Sequence, residues 1–389
     1  MCFTVQGEED GDLPLELEHM LGFTGRTRET LLAHPTMAEV YIKSMGSAIV
    51  VGDLNDPHQQ EFLRGHDMEI SCLAVAPSGT YLASGQVGTT HRKGYGAPAI
   101  IWDLPGRRPL FTLQGHTVSV DLLRFSPDEK FVAACGQDCL LHIWDLATGE
   151  VLLGKKFPKP VALFVWGEVS TAGRRAKYDV CIGAHGAMDV NELSFDPGRQ
   201  QWTLTPQPMA VPSSGLARDY LCACLSSTGD ELIAGTTVGD LVVFKLQPQK
   251  VYRASVPVCS GGLRAVVAGM DGLVFCGGGD GSVRKLRGDD LRWSLLTEAQ
   301  VEGAVTSLAP VANGRELLVA TAAGRVYRML TEDLSCALVA VGHTNKVSCV
   351  AFGTRSDVFA SGTCDGNLKV RKYTELEIIS RLPKLIHRP

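Results

Sequence analysis

Aromatic residues are scarce, at 7% of the 389 residues, and neither sign of charge prevails: 37 Lys and Arg stand against 42 Asp and Glu, for a net charge of −5. Nucleic-acid binders draw most of their affinity from basic residues on phosphates, so no nucleic acid is expected as a partner. No uncharged apolar run approaches the ~18 residues of a helical membrane span, and no membrane insertion is expected. Twelve cysteines are present without a single Cys-x-x-Cys pair. Cys222 and Cys224 lie two apart, on one face of a strand, and Cys135 and Cys139 flank a turn. Neither pair has further Cys or His at ligand spacing, so no metal and no cofactor is expected, and the thiols read as small buried core residues. The opening MCFTVQGEEDGD lacks the basic and apolar regions of a secretory signal, and the closing LIHRP is not a lipidation motif. A reducing, intracellular setting is the expectation.

What is present is glycine, 42 residues of it, in a chain that is 45% hydrophobic with a mean hydropathy of +0.07. Enough apolar surface exists for a large core, and the glycines point to many short strands joined by tight turns. Helical periodicity of 3.6 is not sustained anywhere.

Markers recur at a fixed spacing. Three Gly-His pairs occur, at Gly65-His66, Gly115-His116 and Gly342-His343. The first two histidines are 50 residues apart, and the interval to the third divides into five units of about 45. Trp102-Asp103 and Trp144-Asp145 are 42 apart, each about 30 residues beyond its Gly-His pair. Between markers the text from His116 has a regular grammar: a strand near 118–125, a Ser126-Pro127-Asp128 turn, a strand 131–135, a turn at 136–138, and a strand 140–144. The preceding RPLFTLQGH is expected to supply this unit's fourth strand. Four antiparallel strands joined by short turns make one blade of a WD40-type β-propeller. Units of this kind start near 28, 70, 118, 160, 219, 262, 303 and 346, the one at 160–204 being the least regular. LELEHMLGF, 15–23, reads as an outer strand that clasps the ring shut.

The fold class expected is therefore all-β, a WD40 β-propeller of seven blades with an extra C-terminal blade; a single eight-bladed ring is the alternative. Residues 1–13 read as a disordered acidic leader, 14–340 as the propeller, 341–382 as the eighth repeat, and 383–389 as a tail.

The histidines are the candidate titratable groups, and their neighbours decide how to read them. In WD40 blades such a histidine joins a buried hydrogen-bonded set with a Ser or Thr, an Asp and a Trp, kept whole because a buried polar group without partners is costly. His66, Ser84 and Trp102 form one such set, with an insertion displacing the Asp. His116, Asp138 and Trp144 form a second, with Cys135 where Ser is usual. His343, Ser361 and Asp365 form a third, with Arg371 at the Trp position. Gly277–Gly281 is a blade turn, since no Lys-Ser/Thr and no helix follow it as a phosphate loop requires. No GxSxG, HExxH or paired-carboxylate constellation appears, so no catalytic residue and no enzyme activity is expected. The insertion between Gly85 and Ile100 carries His91, Arg92, Lys93 and Tyr95, a basic and aromatic tip suited either to an acidic partner surface or to solvent.

LGFTGR at 21–26, HP at 34–35, FLRGHDMEISCLAVAPSGTYLASGQVG at 62–88 and AIIWDL at 99–104 together resemble the cilia- and flagella-associated protein 52 family of WD-repeat proteins. The SGQVG stretch with its following loop is the most specific piece, and the echinoderm-microtubule-associated-protein-like family has a similar loop. The resemblance implies a structural scaffold in the axoneme of motile cilia and flagella, within the cytoplasm and cytoskeleton. There it would be a microtubule inner protein contacting tubulin of the doublet microtubule and neighbouring axonemal inner proteins. It also implies two tandem propellers, of which this text would be the first plus one repeat. The competing expectations are a general WD40 adaptor in the cytoplasm, taking peptides at the central channel, and a microtubule binder like the echinoderm-microtubule-associated-protein-like family.

Overall fold

A computed structural model describes residues 17–88, 96–171, 176–184, 186–209, 218–288, 292–354, 357–372 and 378–382. Among them there is no helix. The strands form eight four-stranded antiparallel sheets, each built from consecutive strands: 31–64, 70–116, 120–156, 163–207, 220–257, 263–300, 305–341 and 347–382. The leader 1–13, the tail 383–389 and the loop tip at 91–95 lie outside the described residues.

Sheet boundaries correct one expectation at once. The strand Arg108–His116 pairs with Ala97–Asp103, so it is the outer strand of the second sheet. The third sheet takes Val151–Lys156 as its own fourth strand. The sequence repeat and the structural blade are thus out of phase by one strand.

The first strand of each of the first seven sheets lies against the first strands of its neighbours. This succession runs through Leu31–Ala33, Ile70–Val75, Val120–Phe125, Leu163–Ser170, Tyr220–Leu225, Leu263–Ala268 and Val305–Pro310, and the last of these packs against Leu31–Ala33. The apolar core is correspondingly divided. Seven buried clusters each join two neighbouring sheets, the seventh joining sheets seven and one. The second strand of a sheet is covered on both faces, and small residues let the next sheet come close. A Cβ on Gly85 would meet Val120 Cβ at 2.6 Å, and one on Gly277 would meet Val305 Cγ1 at 2.4 Å.

A polar tie repeats at these joints. Each inner strand of sheets two, five and seven has a register shift after its first residue, at Ile70/Cys72, Tyr220/Cys222 and Val305/Ser307. The residue past the shift donates to the carbonyl of the first residue of the next inner strand: Cys72 Sγ to Val120 O at 3.3 Å, Cys222 Sγ to Leu263 O at 3.3 Å, and Ser307 Oγ to Leu31 O at 3.0 Å. Ser71 Oγ adds a bond to Val120 O at 2.5 Å. The third of these ties links the seventh sheet to the first.

Closure does not use a shared sheet. Residues 17–30 form no strand, so the expected clasp at 15–23 is absent where it is described. Instead Phe23, 1% exposed, is wedged among Leu31 and Ala33 of the first sheet and Val311, Leu318 and Val326 of the seventh. Its backbone lies on Gly342, where a Cβ would come within 2.0 Å of Phe23 O. The eighth sheet stands apart from this packing. Its inner strand repeats the register shift at Val347/Cys349, but Cys349 is exposed, and so are Val350 and Phe352, Phe352 by 74%.

Phe23→Ala is expected to lower the unfolding free energy by about 3–5 kcal/mol, the cost of a cavity in a well-packed joint. Ser307→Ala should cost about 1 kcal/mol. Cys349→Ala, at the equivalent but exposed place, should stay within about 0.5 kcal/mol. Urea midpoints of the three variants check the ordering.

Candidate functional site

In the second sheet the expected set is assembled around a single hydroxyl. His66 Nε2 is 2.6 Å from Ser84 Oγ, and Trp102 Nε1 donates to the same oxygen at 2.7 Å. His66 Nδ1 is 2.7 Å from Gln86 Oε1, whose own amide nitrogen donates to Asp67 Oδ1 at 2.6 Å. An amide oxygen only accepts, so Nδ1 carries the proton of the neutral ring and Nε2 accepts the Ser84 O–H. Burial holds the His66 pKa below its ordinary value, in keeping with a neutral ring. Gln86, 1% exposed, makes the contact to the histidine Nδ1 that Asp138 makes in the third sheet. Sequence reading missed it, although a polar residue two positions past Ser84 in an otherwise small and apolar strand was a usable signal.

The third sheet differs. Leu73 faces Ser84 and Leu123 faces Ala134, so Ala134 stands where Ser84 does, not Cys135, which matches Gly85. Gly136 matches Gln86, so aligning it with Gly85 in the sequence shifts the match by one residue. His116 Nδ1 lies 3.0 and 3.2 Å from the two Asp138 oxygens, which also accept the N–H groups of Thr117 at 2.9 Å and Leu140 at 3.1 Å. Burial works to raise the Asp138 carboxyl, but these bonds hold it below its ordinary value. With Ser replaced by Ala, a second imidazole fills the space: His142 meets His116 edge-on at 5.0 Å between centroids and lies 5.3 Å from the Trp144 ring. His116 Nε2 and both nitrogens of His142 are buried without a hydrogen-bond partner among the described residues. Burial, and then the neighbouring His116, push His142 down.

In the eighth sheet His343 Nε2 is 2.8 Å from Ser361 Oγ. Asp365 accepts bonds from Thr363 Oγ1, from Asn345 at 2.7 Å and from Asn367 at 2.8 Å. Arg371, 6% exposed, takes the Trp position and donates to Val341 O. Burial, with Lys369 and Arg371 nearby, brings His343 down to about 4.

Chemistry is concentrated elsewhere in the ring, in a way no local pattern announces. The turn before the first inner strand reaches into the centre. Arg28 Nη1 donates to Leu221 O of the fifth sheet, and the Glu29 carboxylate takes both arms of Arg124 of the third sheet, at 2.7 and 2.5 Å. Glu29 O accepts the Leu73 N–H of the second sheet at 3.0 Å. The channel framed by the inner strands is therefore spanned by the chain's own residues.

The stems of the insertion loop rest on the segment after His116. Gly88 N–H donates to Val118 O at 2.7 Å, and Val87 bridges to Ser119. His91, Arg92, Lys93 and Tyr95 lie outside the described residues. Among the described residues no three His, Cys, Asp or Glu converge to hold a metal ion. A cavity of about 200 Å³ opens between sheets five and six, lined by Ser226, Asp230, Glu231, Arg253 and Trp293 among others, with no histidine or cysteine in its wall. Cys222, Cys224, Cys259 and Cys276 share the joint beside it, and every described cysteine is free. Burial raises the four thiols, which suits packing and not reactivity.

Comparison with known proteins agrees with the fold. The family described as WD domain, G-beta repeat matches residues 58–90, 107–145 and 335–371. Cilia- and flagella-associated protein 52 of Chlamydomonas reinhardtii is 33% identical over 90% of this chain and 55% of its own length. The Homo sapiens protein of that name is 28% identical over 89% and 54%. WD repeat-containing protein 90 of Mus musculus is 28% identical over 94% of this chain and 20% of its own length. The chain thus spans about half the length of the first of these relatives. Among solved structures, the Cps50 (Swd1) β-propeller domain of Myceliophteria thermophila superposes with a TM-score of 0.57 at 16% identity, covering 76% of this chain and 93% of that domain.

Ser84→Ala strands two buried groups, His66 Nε2 and Trp102 Nε1, and should cost about 1–3 kcal/mol, whereas Ala134→Ser offers His116 Nε2 a partner and should add about 1 kcal/mol. His66, His142 and His343 all have folded pKa values below the unfolded 6.5. Their contribution to stability is complete above pH 6.5 and is lost as the pH falls, for His343 through about 4. Urea midpoints at pH 7.5, 6 and 5 should therefore decline, and His142→Phe should make that decline shallower.

Proposed function

The chain is a WD-repeat β-propeller protein related to cilia- and flagella-associated protein 52, and from that premise we propose that it is a non-enzymatic structural protein of the ciliary and flagellar axoneme. In this reading it works as a microtubule inner protein, contacting tubulin of the doublet and adjacent inner proteins. The observation that carries the proposal is the 33% identity over 90% of the chain to a relative of that name. The chemistry supports it. The conspicuous histidines are held in the packing of blades, as His66 is between Ser84 and Gln86. The cavity between sheets five and six has no histidine or cysteine in its wall, and its Ser226 hydroxyl is held within a turn by Asp230 at 2.9 Å. A peptide adaptor working through the channel is less favoured, because Arg28 and Glu29 already cross it.

The domain reading belongs to the same proposal. Residues 14–340 are a ring of seven blades, and 341–382 form a further blade outside it. Cys349 sits where Cys72, Cys222 and Ser307 tie their sheet to the next, and its strand is open to receive another sheet. Arg26 to Thr344 O at 3.1 Å and Lys369 to Gly342 O steady the blade against the ring. The His66, His116 and His343 sets stiffen their blades, and the loop bearing His91, Arg92, Lys93 and Tyr95 is a partner contact.

Tagged protein in ciliated cells provides the test. It should copurify with isolated doublets and resist high-salt extraction, which strips proteins held by surface charge. Recovery in the detergent-soluble fraction, with none on axonemes, would overturn the assignment.

A further inference from the structure

We propose that His19 and His58 form a metal-responsive staple: together they bind one divalent transition ion such as nickel, copper or zinc, and so fasten the segment that seals the ring. This goes beyond the axonemal reading and does not depend on it.

The two imidazoles already face each other. His58 Nδ1 lies 3.0 Å from His19 Nε2, with ring centroids 4.9 Å apart and ring planes at 82°. An ion ~2.0–2.1 Å from each of two imidazole nitrogens holds them about 3 Å apart when the angle at the ion is roughly 90°. The spacing is thus that of two neighbouring ligands in tetragonal or octahedral coordination, which suits nickel and copper in particular. His58 is exposed, so water completes the shell around these two protein ligands.

Both ligands are held by their surroundings. His58 sits in the turn between the third and fourth strands of sheet one. Its N–H donates to Asp56 Oδ1 at 3.0 Å, and the Asp56 N–H donates to Asp53 Oδ1 at 3.0 Å. His19 belongs to the approach segment, and its side chain is only 11% exposed. Met20 N–H donates to Gln60 Oε1 at 2.9 Å, and Gln60 Nε2 donates to Pro57 O at 3.0 Å. One glutamine therefore ties the residue after His19 to the residue before His58. Glu18 Oε2 lies 3.8 Å from His19 Nδ1. Its charge favours the proton on that nitrogen and leaves Nε2 with a lone pair, as a carboxylate behind a ligand histidine does in metal sites. His58 Nδ1 then donates the bond between the rings. When the ion takes both lone pairs, that proton leaves Nδ1 and the ring is protonated at Nε2 instead. Both rings stay neutral, and no proton is released overall.

The consequence follows from where the segment leads. Just beyond His19, Gly22 O accepts Lys43 Nζ at 2.9 Å, and Phe23 is wedged between sheets one and seven. Residues 17–22 form no strand, so side-chain bonds fasten them and the cooperative protection of a sheet is missing. An ion joining residues 39 positions apart closes a loop through sheet one and restricts the opened state.

Ni2+ is the probe, because the thiols exposed at Cys336, Cys349 and Cys364 compete for copper and zinc. Isothermal titration of the full chain should show a site that is at least ~10-fold weaker in His58→Gln and in His19→Gln. Hydrogen exchange gives a second readout. Saturating Ni2+ should slow exchange of the Met20 amide in the unaltered protein and leave it unchanged in His58→Gln. Ni2+ binding of undiminished strength in His58→Gln would overturn the proposal, and so would binding to the unaltered protein that leaves the Met20 amide as it was. His58 lies exposed in a turn, so His58→Gln decides the matter even if His19→Gln does not fold.

Discussion

The fold depends on one contact, repeated around the ring: the inner strand of one sheet lying on the second strand of the sheet before it. A four-stranded sheet alone leaves both faces wet. Here Leu82 and Ala83, or Leu317 and Leu318, are buried to within 1% because a neighbouring sheet covers each side. Close approach requires glycine at points such as Gly85 and Gly277, and the hydroxyl or thiol just past the register shift in sheets two, five and seven adds direction to a contact that hydrophobicity alone would leave free to slide. Because the same joint recurs, the core is a set of thin wedges and not one mass, and stability is a sum of nearest-neighbour terms.

The buried polar sets are a second layer laid over that packing. In the second sheet every group from Trp102 to Asp67 has a partner, which fixes the tautomer of His66 and the rotamer of Ser84. In the third sheet the loss of one hydroxyl at Ala134 leaves imidazole nitrogens without a partner among the described residues, and ring contact between His116, His142 and Trp144 takes over the filling of space. In the eighth, a cation replaces the indole and bonds a backbone carbonyl. One architecture thus tolerates three solutions, provided the space is filled and the histidine keeps a polar partner.

Closure by a non-strand segment links architecture to function. A ring sealed by a shared sheet would leave its approach turn free. In this chain the segment that brings Phe23 into the seam continues to Arg28 and Glu29 in the channel, so the element that seals the ring also occupies its centre. That leaves the faces, the rim and the exposed inner strand of the eighth sheet as the accessible surfaces.

By itself the sequence determined the class of fold. The interval between His66 and His116, the Trp-Asp pairs and the alternation within each unit are local properties, set by strand period and turn chemistry, and the strands lie close to where they were expected. It could not set what depends on contacts between distant residues. Which sheet owns Arg108–His116, whether Ala134 or Cys135 replaces the serine, and that Gln86 completes the His66 set all follow from cross-strand register. The clasp expected at 15–23 gave way to a wedge because a buried phenylalanine between two finished sheets needs no backbone pairing. The Arg124–Glu29 pair joins residues 95 apart across the channel, and only the closing of the ring brings them together.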